Sequence, residues 1–324
     1  MVNGTPGSAW ASLRSVAGIE ERLVLGSAAG DERMPLTPEH LFDLASLTKT
    51  FTTVAALRLV DAGLVDLDEP VRPLLTVGAG DGAERITLRH LLTHTSGLPA
   101  EGGAWRSGLG GDDLRARVVG SDLLAAPGTA HLYSDVGFIA VGVLVEHVTQ
   151  RPLDAVIAEV AARLGASSLT WRPEPSLAVA TEVQPHRGLV RGEVHDELAH
   201  ALGRPAGHAG LFGTADDVAA LARMIRDDGI GAGGRVLSAD GIRLMTTPAA
   251  TADAGYGQAL GLRVRDATWM GEADAVGHTG FTGTAFAVSP RTGDFGVLLT
   301  NRVHPTREGT DLSAVRREFF SLLG

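Results

Sequence analysis

The chain reads as an α+β fold: an antiparallel β-sheet built from both chain ends and flanked by helices, with a mainly helical region inserted. Three observations predict it. Strand-like runs are confined to the two ends, helical patterns dominate between them, and no repeat or heptad run interrupts that order. At 324 residues there is room for one large domain or two intimate ones. The division suggested is a sheet domain from 1–65 and 230–324 and a mainly helical domain from 66–229, with the cleft between them as the candidate functional site.

Residues 10–30 read as two short strands around a turn at Gly18-Ile19-Glu20-Glu21. Residues 41–63 are apolar at Phe51, Val54, Leu57 and Val60 and close on Gly63, which predicts a buried helix. A short helix over 86–99 runs into a Ser-Gly-Leu-Pro turn, and 101–111 is a glycine-rich loop. Residues 112–165 are mostly helical, with a break at 125–135. The stretch 136–150 is too apolar for a surface helix and should cross a core. Residues 171–215 are irregular, and 216–229 form an amphipathic helix. Strands follow at 256–265, 284–289 and 295–301, then a terminal helix at 311–323.

Composition excludes several classes. A formal net charge of −10 argues against nucleic acid or an anionic membrane as partner. No apolar run approaches a membrane span. The opening residues lack a basic segment followed by an apolar one, so a cytoplasmic location is expected. Absence of cysteine removes disulfides, zinc–thiolate sites and thiol nucleophiles. No cofactor and no metal is expected.

Of 28 basic residues, one is a lysine, Lys49. A bias toward arginine replaces lysine wherever charge alone suffices, so a surviving lysine marks a place where arginine fails. Arginine cannot release its proton, whereas a desolvated lysine can. Ser46 lies three residues earlier, on the same helical face. A helix start favours developing negative charge, and a lysine in an apolar pocket can activate a serine. Two further segments carry chemistry. Tyr133, one of two tyrosines, opens the apolar helix and could relay a proton. In "GHTGFTGTAFAV" (277–288) a glycine after threonine lets a substrate lie close to backbone.

Together these segments resemble the active-site elements of the serine β-lactamase and penicillin-binding-protein superfamily, in its class C β-lactamase-like branch of esterases and D-Ala-D-Ala carboxypeptidases. Ser46-Leu47-Thr48-Lys49 is similar to Ser-x-x-Lys, Tyr133-Ser134-Asp135 to Tyr-x-Asn, and His278-Thr279-Gly280 to Lys-Thr-Gly, in family order. Stretches 91–99, 63–71, 208–225 and 297–306 extend the resemblance from about residue 12 to the end. It implies a β-lactamase/transpeptidase-like fold and an acyl-enzyme on Ser46. Lys49 would be the base or the acid that hands the proton on, and Tyr133 the second proton carrier. The backbone N–H groups of Ser46 and Phe281 would form the oxyanion hole. Asp135, His278, Thr279 and Gly280 would bind substrate.

Three departures bear on mechanism. Asp135 replaces the usual asparagine. If it touches Lys49 it favours the ammonium and leaves Tyr133 as resting base; otherwise it points away. His278 replaces the usual lysine, which weakens a fixed positive charge and favours neutral esters or amides. The helix that usually precedes the first strand has no counterpart, so that face of the sheet is left to the terminal helix or a partner. Histidines 186, 195, 200 and 208, with Asp196, lack metal-ligand spacing and read as loop or cleft wall. His94 reads as a turn-stabilising histidine, because no Gly-x-Ser-x-Gly seats a triad nucleophile. Specificity is expected from loops 100–111 and 170–210. The leading expectation is a serine hydrolase whose partner is a small ester, amide or peptide substrate. An acyltransferase, a β-lactamase or D-Ala-D-Ala carboxypeptidase proper, and a non-catalytic binding protein are the alternatives, and the oligomeric state stays open.

Overall fold

The computed structural model describes residues 8–29, 34–101, 103–309 and 311–323. Gly30, at the end of the expected hairpin stretch, and Gly102, in the glycine-rich loop, lie outside them. Strands β1 (Ala9–Val16) and β2 (Ile19–Gly26) form the hairpin. Its turn is Ala17-Gly18, earlier than the sequence suggested. Both residues have positive φ, 50° and 80°, and such two-residue turns match the twist of paired strands. Ile19 can therefore pair with Val16 at once.

The helix expected over 41–63 begins late, as α1 (Thr48–Asp61). Phe42–Asp43 are taken up in antiparallel pairing with Phe212–Gly213, and Ala45 has a φ of 47°, outside the range of an α-helix interior. Next come α2 (Leu88–Leu92), α3 (Gly111–Val119), α4 (Asp135–Thr149) and α5 (Leu153–Leu164). In α4 every residue from Val136 to Gly142 is buried, as its continuous hydrophobicity demands. The irregular stretch contains one short helix the sequence did not announce, α6 (Glu197–Leu202), capped by Asp196. After α7 (Ala215–Arg226) and α8 (Ala239–Thr246) come β3 (Ala250–Thr251), β4 (Gly257–Gln258), β5 (Arg263–Val264), α9 (Ala267–Met270), β6 (Val276–Thr279), β7 (Ala285–Val288), β8 (Phe295–Thr300) and α10 (Ser313–Phe320).

The main sheet runs β2-β1-β8-β7-β6-β5-β4-β3, with every neighbouring pair antiparallel. Both chain ends thus share one sheet. Helix α7 packs on β8, β7 and β1, and α1 joins α4 and α5 in the same large core. On the other face, Trp269, Met270 and Phe320 from α9 and α10 pack with Ala285, Ala287 and Leu298. That cover stops short of the edge strand, where Ile19, Leu23 and Leu25 are exposed. Among the described residues no helix is long and apolar enough to cross a membrane.

Candidate active site

Ser46 and Lys49 meet because the chain turns sharply just before them. Residues Ala45–Leu47 form a single 3-10 turn that runs directly into α1, so Ser46 stands at the head of the helix rather than inside it. Lys49 is fully buried. Its Nζ donates to Ser46 Oγ at 2.9 Å and to the His208 carbonyl at 3.0 Å. Asp135 Oδ1 lies 2.6 Å from the same nitrogen. The ammonium thus gives one proton each to the Ser46 hydroxyl and the His208 carbonyl and faces the Asp135 carboxylate as an ion pair. Burial works against the charge, but Asp135 and then Tyr133 outweigh it, and Lys49 holds its proton more tightly than an ordinary lysine. Asp135 therefore faces the lysine, Lys49 rests as ammonium, and Ser46 Oγ accepts from it.

Tyr133 is held from behind. Ser134 caps α4, accepting from the Gly137 N–H at 2.9 Å and donating to the Pro99 carbonyl at 2.6 Å. The Ser134 N–H donates to Nδ1 of buried His94 at 3.0 Å. The His94 ring lies against Tyr133, with centroids 4.4 Å apart. Burial first, then the charge of Lys49, pushes His94 well below the usual histidine range, so it is neutral and its Nδ1 is free to accept. The turn histidine of the sequence is thus also the backing of Tyr133. The Tyr133 ring centroid lies 5.1 Å from Lys49 Nζ.

His278 and Thr279 end β6. His278 is buried, with its ring 6.1 Å from that of Tyr133. Nδ1 donates to the Thr279 carbonyl at 2.8 Å. Burial, then Arg263 and Lys49, holds its pKa far below the usual range, so it is neutral and sits behind Tyr133. Thr279, Gly280 and Phe281 line the cavity with Ser46 and Tyr133; its volume is about 380 Å³. Gly280 is required there: a Cβ would come within 2.6 Å of the Leu44 carbonyl oxygen.

Three arginines that the sequence reading passed over complete the cavity: Arg263 from β5, Arg302, and Arg316 from α10. Arg263 lies over both tyrosines, 5.6 Å from Tyr133 and 4.9 Å from Tyr256, and is paired with Asp266 at 2.9 Å. Arg316 donates to the carbonyls of Thr284 at 3.0 Å and Gly280 at 3.4 Å, and its Nε is buried without a partner. No carboxylate among the described residues lies within ion-pair distance of it. Burial, then the neighbouring Arg302 and Arg263, pushes Arg316 down to about 10. Three positive charges thus gather here despite an acidic chain, with Asp311 lining the same cavity and partly offsetting them.

The 170–210 loops border the site. His186 stacks on Trp105, centroids 6.1 Å apart, joining them to the 100–111 loop. His208 pairs with Asp196 at 3.0 Å. Buried His195 pairs with Glu182 at 2.9 Å and stacks on Phe281. Arg307 bonds both Glu182 and Glu197. Burial opposes the Glu182 charge, but Arg307 prevails and holds its pKa at about 2. A carboxyl lowered by folding adds stability above its unfolded pKa, near 4.5, and loses it as pH falls through the folded one. Urea midpoints are therefore expected to drop between pH 4.5 and about 2, with Glu182→Gln flattening that drop.

Comparisons with known proteins bear on the family and the fold. The family model described as Beta-lactamase matches residues 7–319. An Escherichia coli K12 protein named "Putative D-alanyl-D-alanine carboxypeptidase" is 30% identical, covering 86% of this chain and 73% of that one. The N-acetylmuramyl-L-alanine amidase of Bacillus subtilis 168 is 32% identical, over 82% and 68%. Among solved structures, a class C beta-lactamase aligns with a TM-score of 0.79 at 16% identity, covering 98% of this chain and 92% of its own. A hydrolase with promiscuous acyltransferase activity gives 0.78 at 24%, covering 98% and 94%; likenesses at these identities speak for the fold. With the model spanning nearly the whole chain and the sheet, helices and ordered segments all in place, the chain belongs to the beta-lactamase family of serine hydrolases.

Proposed function

We propose that the protein hydrolyses an ester or amide through an acyl-enzyme on Ser46, and that its substrate carries a carboxylate near the scissile bond. The observation that carries the first part is the contact of Ser46 Oγ with buried Lys49, itself ion-paired with Asp135. Ser46 Oγ attacks the acyl carbon, and its proton enters the group formed by Tyr133, Lys49 and Asp135. Oxygen charge in the tetrahedral intermediate falls on the N–H groups of Ser46 and Phe281. Tyr133 returns a proton to the leaving group, and water then releases the acyl chain. Negative charge developing on Tyr133 would lie near two cations, Lys49 and Arg263, 5.1 and 5.6 Å from its ring centroid.

Neutral His278 would favour a neutral substrate if it were the only basic group at the site. The arginines counter that preference, because Arg316 lines the cavity and its hydrogen bonds go to two carbonyls rather than to a carboxylate. The name of the Escherichia coli relative, a carboxypeptidase, is in keeping with a substrate that ends in a carboxylate.

Incubation with a fluorophosphonate followed by intact-mass analysis should show one adduct, mapped to Ser46. Folded protein without an adduct would sink the reading. For the carboxylate, paired esters with and without the acid group are compared. Arg316→Gln should lower the preference for the acid by about tenfold or more, since a bond to a charged group contributes about 1.5–3 kcal/mol. An unchanged preference removes Arg316 from recognition. A nucleophile other than water would make the protein an acyltransferase, and product analysis with added amines or alcohols separates the two.

A further inference from the structure

The two proposed oxyanion donors sit on segments far apart in sequence, and two threonine hydroxyls bolt those segments together. Thr282 Oγ1 donates to the carbonyl of Asp43 at 2.7 Å, and Thr284 Oγ1 to the carbonyl of Leu44 at 3.0 Å. Both threonines are buried. The acceptors are consecutive and lie just before the Ala45–Leu47 turn that carries Ser46. The donors belong to the turn that carries Phe281, closed by Gly280 N–H to the Thr284 carbonyl at 2.7 Å and Gly283 N–H to the Gly280 carbonyl at 3.1 Å.

The buried Asp43 carboxylate adds a second tie. One oxygen accepts from the Ala45 N–H at 2.8 Å and the other from the His195 N–H at 2.7 Å. Ala45 is the left-handed residue directly before the nucleophile, a conformation that costs a non-glycine residue energy and persists only where neighbours enforce it. His195 in turn stacks on Phe281, centroids 5.7 Å apart, and Arg302 Nε holds the Phe281 carbonyl at 2.7 Å. The peptide units on both sides of the hole are thus fixed to each other through Asp43.

We infer that Thr282, Thr284 and Asp43 are positioning residues that set the spacing of the Ser46 and Phe281 N–H groups, and so the fit of the oxyanion hole to a tetrahedral intermediate. This rests on the acyl-enzyme reading above. An oxyanion hole works by preorganisation, and a misplacement of about 1 Å can cost about 10²-fold in rate.

The test uses the full chain with Thr282→Val and Thr284→Val, which keep shape and lose the hydroxyl, and Thr282→Ser and Thr284→Ser, which keep the hydroxyl. Acylation by a p-nitrophenyl ester is followed in single turnover, and phenylboronic acid, whose serine adduct is tetrahedral, measures the hole in equilibrium. The valine variants should lose about 10- to 100-fold in acylation rate and a parallel factor in boronate affinity, with substrate Kd little altered, and serine should restore both. Melting curves identify variants that fold, and at least one valine variant of the pair supplies the comparison. Rates within about twofold of wild type, or a loss that serine does not restore, overturn the inference. Wild type that neither acylates nor binds boronate instead overturns the acyl-enzyme reading itself.

Discussion

Lys49→Met is expected to lower the rate of Ser46 acylation by about 10³-fold or more, the range for losing a group that acts in proton transfer or in stabilising charge at the transition state. Stopped-flow acylation with an activated ester measures it. Methionine keeps the stem and most of the volume in a site with no exposure, so the loss reports the ammonium rather than a cavity. Arginine, the replacement that the composition alone suggests, is less clean: the three acceptors converge on one small nitrogen at 2.6–3.0 Å, and a planar guanidinium cannot occupy that point without displacing them. The methionine variant leaves Asp135 without its cation. Lys49→Met combined with Asp135→Asn therefore serves as control. It should recover stability lost by the single variant while staying inactive, since breaking one partner of a buried pair costs more than removing both. A Lys49→Met protein that acylates within tenfold of wild type would show that the lysine is dispensable.

Why the lysine was visible in the sequence, and the arginines were not, is a matter of range. Ser46, Lys49 and Tyr133 lie in short segments whose spacing is imposed by a helix or a turn, so linear order carries their geometry. The survival of one lysine among 28 basic residues reflects the same requirement. Arg263 and Arg316 come from a strand and a terminal helix that meet Ser46 only after the sheet assembles from both ends, and the arginine-rich background hides them among many like residues. The one local hint lay in tyrosine: both tyrosines flank Arg263, but only the fold brings them together. His94 was read as a turn residue and is one, with its φ of 58°. Its second duty behind Tyr133 depends on the approach of α4, which periodicity does not encode. The late start of α1 has the same origin, since the pairing that competes for Phe42 and Asp43 comes from residues 212–213.

Asp135→Asn is the substitution that decides what Lys49 does with its proton. In the wild type, burial lowers the proton affinity of the lysine and Asp135 is the largest influence raising it. An amide removes that influence and leaves burial in control, so the amine should titrate below its ordinary value of 10.5. If the working form is the ammonium, with Tyr133 as proton carrier, the variant should lose acylation as pH rises through about 7 to 10, a range where wild type is flat. We expect this result, because Asp135 holds the charge on Lys49 and Ser46 Oγ accepts from its ammonium. The opposite sign is equally readable. A variant that acylates faster than wild type at pH 7, with its rising limb moved to lower pH, assigns the base to neutral Lys49. Stability moves with the same sign. A lysine whose pKa is depressed by folding destabilises the native state below its unfolded pKa, and the penalty fades as pH rises toward that value. The gap in unfolding free energy between Asp135→Asn and wild type should therefore be widest near neutrality, about 3–5 kcal/mol for one lost partner of a buried pair, and should narrow toward pH 10. Rate and stability report the same proton, so both must shift together if Asp135 acts through Lys49. A shift in rate without the shift in stability would place the aspartate's effect on the substrate instead.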